Sequence, residues 1–269
     1  MIIEDEKQKI LIVTDLHIGW EVPLVKKGIH IPSQSSKLTA NLLKLIRDNN
    51  PDQLCLLGDI KQAVSKISLG EWRDVPDFFE SIEREVSDIT ITLGNHDGGL
   101  KALTPRSVTI CPSSGTIIDM DSRIGLFHGH AWPSPKVLSS DIILMGHIHP
   151  VIRFRDSLGL WTVRQVWLRS LCDGEKLVGA YIKSRKLKMV GNIMDAFEQK
   201  FGIKVGNPRL IIMPAFNDLI GGLSVNRVEK HLLGVLLRSG AVTLDDCESY
   251  LLDGTFIGAI GHLRRLLNS

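Results

Sequence analysis

Short, continuous apolar runs mark the first part of the chain, and each ends abruptly in polar residues. Residues 10–14, 53–57 and 89–93 are such runs, of the kind expected for strands buried on both faces. Between them lie segments with helical period. Residues 33–48 put Leu38, Leu42, Leu45 and Ile46 on one face, with Ser33 or Ser35 as a cap and Asn49-Asn50-Pro51 as a stop. Residues 74–87 put Phe78, Ile82 and Val86 on one face. The β-α-β-α-β order predicts parallel strands joined by crossover helices.

From about residue 107 the pattern shifts to closely spaced strands, predicted at 107–110, 115–119, 123–127, 141–145, 150–155 and 160–170. Residues 151–155 partly alternate, as a strand with one wet face does. This points to a mixed sheet or a second sheet. Further along, 192–200 reads as a helix, 210–213 as a strand, 251–256 as a strand with a turn, and 213–217 as a turn. Asp245-Asp246 reads as a helix start or turn. Lys183, Arg185, Lys186 and Lys188 read as the charged edge of a strand-like segment. Without repeats or low-complexity linkers, the chain reads as a single domain over 1–269, with 195–269 as an elaboration completing the second sheet.

Composition narrows the class. The chain has 269 residues, 43% hydrophobic and 23% charged, as a soluble globular protein does. A net charge of +2 gives no global attraction to nucleic acid or anionic membrane, but it leaves room for a local basic groove. No apolar run approaches the roughly 20 residues that span a bilayer. Glu4, Asp5 and Glu6 precede a polar stretch, the wrong order for a signal peptide. Cys55, Cys111, Cys172 and Cys247 form no CxxC pair, which predicts reduced, mostly buried thiols in a cytoplasmic protein.

The polar ends of the apolar runs carry the chemistry. Five runs lead into Asp15-Leu16-His17, Gly58-Asp59, Gly94-Asn95-His96-Asp97, His128-Gly129-His130 and Gly146-His147-Ile148-His149. Strand ends on one edge of a sheet lie side by side, so these endings gather oxygen and nitrogen donors. In extended chain, residues two apart face one way, which aims Asp15 with His17 and His147 with His149 at a common point. The glycines allow sharp turns. Oxygen donors mixed with imidazoles suit Mn²⁺, Fe, Zn²⁺ or Ni²⁺ rather than Ca²⁺. Asp15, His17, Asp59, Asn95, His128, His147 and His149 are seven candidates, where a structural zinc takes four. Seven suit two ions about 3.5–4 Å apart, with Asp59 the best bridge.

Taken in order, these five motifs resemble the calcineurin-like metallophosphoesterase family, over residues 10–150. The stretches 15–21 and 127–133 resemble an archaeal-type subgroup of phosphoesterases distantly related to double-strand-break repair nucleases. The resemblance implies an α/β (α+β) four-layer fold, two mixed β-sheets packed as a sandwich and flanked by helices. It implies two divalent ions, manganese foremost. Asp15, His17 and His149 would hold one, Asn95, His128 and His147 the other, with Asp59 bridging. His96 would contact the phosphate and protonate the leaving oxygen, oriented by Asp97. His130 stands open as a ligand in place of His128, a supporting group or a substrate contact. Arg153 and Arg155 follow His149 closely, and one of them reads as a phosphate clamp or, more simply, both as part of a solvated strand face.

The implied reaction is hydrolysis of a phosphate ester, foremost a phosphodiester, by a metal-activated water. A small phosphomonoester is the second reading. A non-catalytic scaffold on the same fold is the third, and the presence of His96 with all seven ligands argues against it. Nucleic acid as substrate is not supported by net charge, no membrane partner is expected, and a homo-oligomer is compatible. One departure stands out: Ile60-Lys61-Gln62 follows Gly58-Asp59 where phosphoprotein phosphatases carry an acidic residue. His30, His231 and His262 read as structural histidines. Trp20, Trp72 and Trp132 read as packing residues near the motif loops.

Overall fold

The apolar runs become strands in the computed structural model, which describes residues 1–25, 27–155, 158–227 and 234–268. Strands β1 (Ile2–Glu4), β2 (Lys9–Val13), β3 (Gln53–Leu56), β4 (Asp88–Thr92) and β5 (Thr109–Cys111) form a sheet in that order. β2, β3 and β4 are parallel, as predicted; β5, expected among the closely spaced strands that follow, joins them in parallel, and β1 lies antiparallel on the edge. Helices α1 (Val22–Val25), α2 (Ser35–Asn49) and α3 (Leu69–Glu83) accompany them. With residues 216–220, this part forms one compact unit, residues 1–112. Its core sets Leu11, Val13, Leu54, Leu56, Ile89 and Ile91 against Leu38, Leu42 and Ile46 of α2 and Val75, Phe78, Phe79 and Ile82 of α3. Each such side chain contributes about 1.5–3 kcal/mol by burial.

Both helix starts differ from expectation. The N-cap of α2 is Gln34, without a side-chain cap bond. The Ser33 and Ser35 hydroxyls instead donate to Asp74 Oδ2, at 2.7 and 2.9 Å. Burial pushes the Asp74 carboxyl up, but hydrogen bonds from Arg73, Ser33 and Ser35 outweigh it and hold that carboxyl below its ordinary range. α3 begins at Leu69 rather than 74 because Ser68 and Glu71 form a reciprocal capping box.

The second compact unit comprises residues 113–215 and 221–269. It contains β6 (Thr116–Asp119), β7 (Arg123–Leu126), β8 (Ile142–Met145), β9 (Val151–Arg155), β10 (Trp161–Gln165), β11 (Trp167–Leu171), β12 (Arg209–Ile212), β13 (Glu248–Tyr250) and β14 (Phe256–Ala259). Its helices are α4 (Pro135–Leu138), α5 (Gly174–Ser184), α6 (Ile193–Phe201), α7 (Val235–Arg238) and α8 (Ile260–Asn268). The main sheet runs β14-β13-β11-β12-β8-β7-β6, with β7, β8 and β12 parallel, while β9 and β10 form a separate hairpin. Residues after 195 supply β12, β13 and β14.

The strand expected over 160–170 is two strands, because 161–165 pair with β9 in the hairpin while 167–171 pair with β12 and β13 in the main sheet. The basic cluster 183–188 is not on a strand. Leu177, Val178 and Tyr181 form the buried face of α5, Asp173 caps its start, and Arg185 follows its end with the guanidinium over Tyr181. His30 and His262 are exposed, so neither is a core histidine, and His231 lies outside the described residues. Among the described residues, no helix is long and apolar enough to cross a membrane.

The thiols bear on chemistry. Cys55, Cys172 and Cys247 are buried and unpaired with one another, and Cys111 is half-buried. Desolvation pushes Cys55 and Cys172 up to about 12 and Cys247 up to about 11. The thiolate is the reactive form. Iodoacetamide on the native protein near neutral pH should therefore label Cys111 first, as read by peptide mass spectrometry. Fast labelling at Cys55 would contradict its burial.

Candidate metal centre

In the first unit, β2, β3 and β4 are in parallel register, with Val13 beside Leu56 and Leu56 beside Ile91. Their continuations emerge side by side and keep bonding: Asp15 N donates to Gly58 O at 3.1 Å and His17 N to Asp59 O at 2.8 Å. They are not extended, however. Asp15, His17 and Asp59 have φ of 57°, 47° and 52°. Left-handed turns, not an i, i+2 strand face, bring the candidate ligands together. Each costs roughly 1–2 kcal/mol for a residue with a Cβ, and such strain clusters where function demands it.

The side chains meet closely. His17 Nε2 lies 3.6 Å from Asp59 Oδ2 and 3.9 Å from Asp15 Oδ1, and His96 Nε2 lies 4.0 Å from Asp59 Oδ2. Ligand atoms of His17, Asp59 and His96 all fall within 4.8 Å of one another. The Asp15 and Asp59 carboxylates are buried. Two buried carboxylates around one imidazole call for positive charge. Asn95 Oδ1 is also buried and, among the described residues, accepts no hydrogen bond. A hard oxygen left without a donor, beside imidazole and carboxylate, fits a divalent cation.

Several residues that sequence reasoning missed hold this arrangement. His17 Nδ1 lies 2.9 Å from Gln62 Oε1, and His96 Nδ1 lies against Gln62 O. Donation from each Nδ1–H leaves Nε2 of both rings with its lone pair toward Asp59. Lys61 is fully buried, and its ammonium donates to His96 O at 2.6 Å and to Ala63 O. Asp97, expected to orient His96, accepts backbone N–H groups from Asp59, Ile60 and Gly94, each at 2.8 Å. These bonds tie the two Gly-led turns together. Asn217, in the unassigned 213–217 turn, is buried and donates to Leu16 O at 3.0 Å. Gln62 has a measurable consequence. Losing the partner of a ligating histidine typically costs 10–100-fold in metal affinity. Gln62→Leu should show that loss in a chelator competition, while Gln62→Glu, which keeps an acceptor, should lose less.

In the second unit, β7 and β8 run parallel, and the ladder continues through Phe127 N to Leu144 O and Gly146 N to His128 O. The endings therefore converge here as well. The His128 ring centroid lies 5.0 Å from His147 and 5.4 Å from His130, and His130 lies 6.0 Å from His147. His128 is fully buried and His130 half-buried. His147 and His149 are left-handed, with φ of 74° and 44°, so here too turns replace the expected extended pair. His149 Nδ1 lies 3.0 Å from Gly221 O. Arg153 sits on β9.

The calcineurin-like phosphoesterase family matches residues 8–170, and the chain belongs to it. It is therefore a mixed α/β protein of the metallophosphoesterase fold, from a family of metal-dependent hydrolases. Similar solved structures include the Pseudomonas putida nuclease MPE, at 17% identity, TM-score 0.47, covering 93% of this chain and 96% of that one. YfcE, a phosphoesterase from E. coli, is 17% identical with TM-score 0.36, covering 56% of this chain and 75% of its own. AQ665 from Aquifex aeolicus is 19% identical with TM-score 0.35, covering 52% and 78%. Comparison with curated proteins finds no significant match.

Proposed function

We propose that this protein is a dinuclear metal-dependent phosphodiesterase. One observation carries the reading. Among the described residues, the non-glycine positions with positive φ are Asp15, His17, Asn50, Asp59, His147, His149 and Lys186, and five of these seven are candidate ligands. Strain concentrated on one chemical set marks that set as functional. In this reading Asp15, His17 and His149 serve one ion, Asn95, His128 and His147 the other, and Asp59 both. Manganese suits the mixed oxygen and imidazole donors.

When bound, such ions supply Lewis-acid polarisation and a water acidified to near neutral pH. The chain does the rest. Asp59 Oδ1 accepts the His96 backbone N–H at 2.8 Å, fixing the turn that presents the imidazole. Gln62 O accepts the hydrogen bond of His96 Nδ1–H, which fixes the ring so that Nε2 is the nitrogen presented to the reacting ester. The His96 side chain is 20% exposed, so a substrate oxygen can reach it. Cleavage of a phosphate ester expels an alkoxide, a leaving group that needs a proton donor.

The test is hydrolysis of bis-p-nitrophenyl phosphate against p-nitrophenyl phosphate, in Mn²⁺, Fe²⁺, Ni²⁺, Zn²⁺ and Mg²⁺, alongside a metal titration. Two equivalents bound and preferred diester turnover in Mn²⁺ are expected. Preferred monoester turnover would favour the small phosphomonoester reading. Metal binding without turnover in any ion would favour the scaffold.

A further inference from the structure

The β9–β10 hairpin begins just past the His147–His149 loop, with β9 starting at Val151. Its register sets Arg155 opposite Trp161 and Arg153 opposite Val163. Opposed residues share a face, and faces alternate along a strand. Arg153, Arg155, Trp161 and Val163 therefore occupy one face. Trp161 and Val163 are each 47% exposed, and Leu160 is 64% exposed, a large apolar display for so short an element. The Arg155 guanidinium lies 5.9 Å from the Trp161 ring centroid and that of Arg227 lies 5.1 Å from it. Arg227 is held there by its neighbour. Asn226 clamps β9 by accepting from Arg153 N at 3.0 Å and donating to Arg153 O at 2.8 Å. Among the described residues, no carboxylate pairs with Arg153, Arg155, Arg164 or Arg227, and Arg153 Nε is buried without an acceptor.

We propose that this hairpin is a binding arm for single-stranded nucleic acid. Arginines two apart on a strand repeat at about 6.6 Å, the scale on which phosphates repeat along a polynucleotide. An exposed indole between guanidiniums suits a stacked base, and stacking needs bases that are not already paired. An acidic peptide matches the charge but has nothing to stack. The low net charge of the chain is no obstacle, because the basic stripe is local. This deepens the phosphoesterase reading and rests on it: the ester cleaved is a polynucleotide diester.

The experiment measures fluorescence anisotropy of a labelled single-stranded 20-mer with the full chain in EDTA, over a series of salt concentrations. Trp161→Ala should weaken binding roughly 5- to 150-fold, the range for one stacked base. Arg155→Ala and Arg227→Ala should each lower the log–log salt slope by about 0.7. Turnover of bis-p-nitrophenyl phosphate should be unchanged in all three, since that ester is too small to use the arm. No binding by the parent protein, variants that bind as it does, or equal competition by polyglutamate would each overturn the arm. Binding through these residues in a protein that cleaves no ester would leave the arm standing and sink the phosphoesterase reading. Ester cleavage without oligonucleotide binding would do the reverse.

Discussion

Asp59→Ala is expected to abolish turnover of bis-p-nitrophenyl phosphate. Its Oδ2 is within 4.0 Å of both His17 Nε2 and His96 Nε2, and its Oδ1 accepts the His96 backbone N–H. In the proposed dinuclear reading Asp59 would hold the catalytic ions, and its removal would forfeit several kcal/mol of charge stabilisation, on the order of 10³-fold or more in rate. Asp59→Asn separates the two roles. It keeps an acceptor for His96 N–H and loses the charge. It should therefore fold with little change in Tm while showing the same loss of metal affinity and turnover. Full activity in Asp59→Asn would remove Asp59 from the ligand set.

Gly94→Ala should produce a large loss of stability. A Cβ there would lie 2.2 Å from Asp59 Oδ1 and 2.3 Å from Asp59 N, far inside contact distance. The second atom is backbone and is anchored by Asp97 Oδ2, so nothing flexible can give way. Overpacking a well-filled site costs about 1–3 kcal/mol, and in a chain of this size each kcal/mol lowers Tm by roughly 2–4 °C. Metal affinity should fall with it, since the displaced turn carries Asp59. Gly70→Ala is the control. Gly70 lies in the first turn of α3, where a Cβ would meet only Val22 Cγ2 at 3.9 Å. Alanine there should be neutral or slightly stabilising. Equal melting temperatures for the two variants would show that the crowding at Gly94 is relieved at no cost.

What could be read from the chain follows from how locally each signal is encoded. β2, β3 and β4 were legible because parallel strands buried on both faces leave continuous apolar runs. The ligand motifs were legible because each closes such a run. The start of α3 was misplaced because its cap, Ser68 with Glu71, lies outside the apolar repeat. α5 is hard to read in the chain because the helical spacing of Leu177, Val178 and Tyr181 is short and runs straight into the basic residues Lys183, Arg185, Lys186 and Lys188. Gln62 and Asn217 were beyond reach of pattern. Gln62 meets His17 across 45 residues, and Asn217 meets Leu16 O across 201. Neither has a neighbour in sequence that advertises its partner. The left-handed turns were hidden for a related reason. Histidine and aspartate visit that conformation more readily than most residues, so their presence at a strand end does not announce it.

Those turns also limit which residues each position can hold. At Asp15, His17, Asp59, His147 and His149 the main chain already selects for residues that tolerate positive φ, before any ion selects for donor atoms. Glutamate at position 59 would preserve charge and nearly preserve reach, yet it meets a conformational barrier that aspartate largely escapes. Asparagine passes the backbone filter and lacks the charge; glycine passes it and lacks the donor. Very few side chains satisfy both demands, so the permitted alphabet at these positions is narrower than coordination chemistry alone would set it.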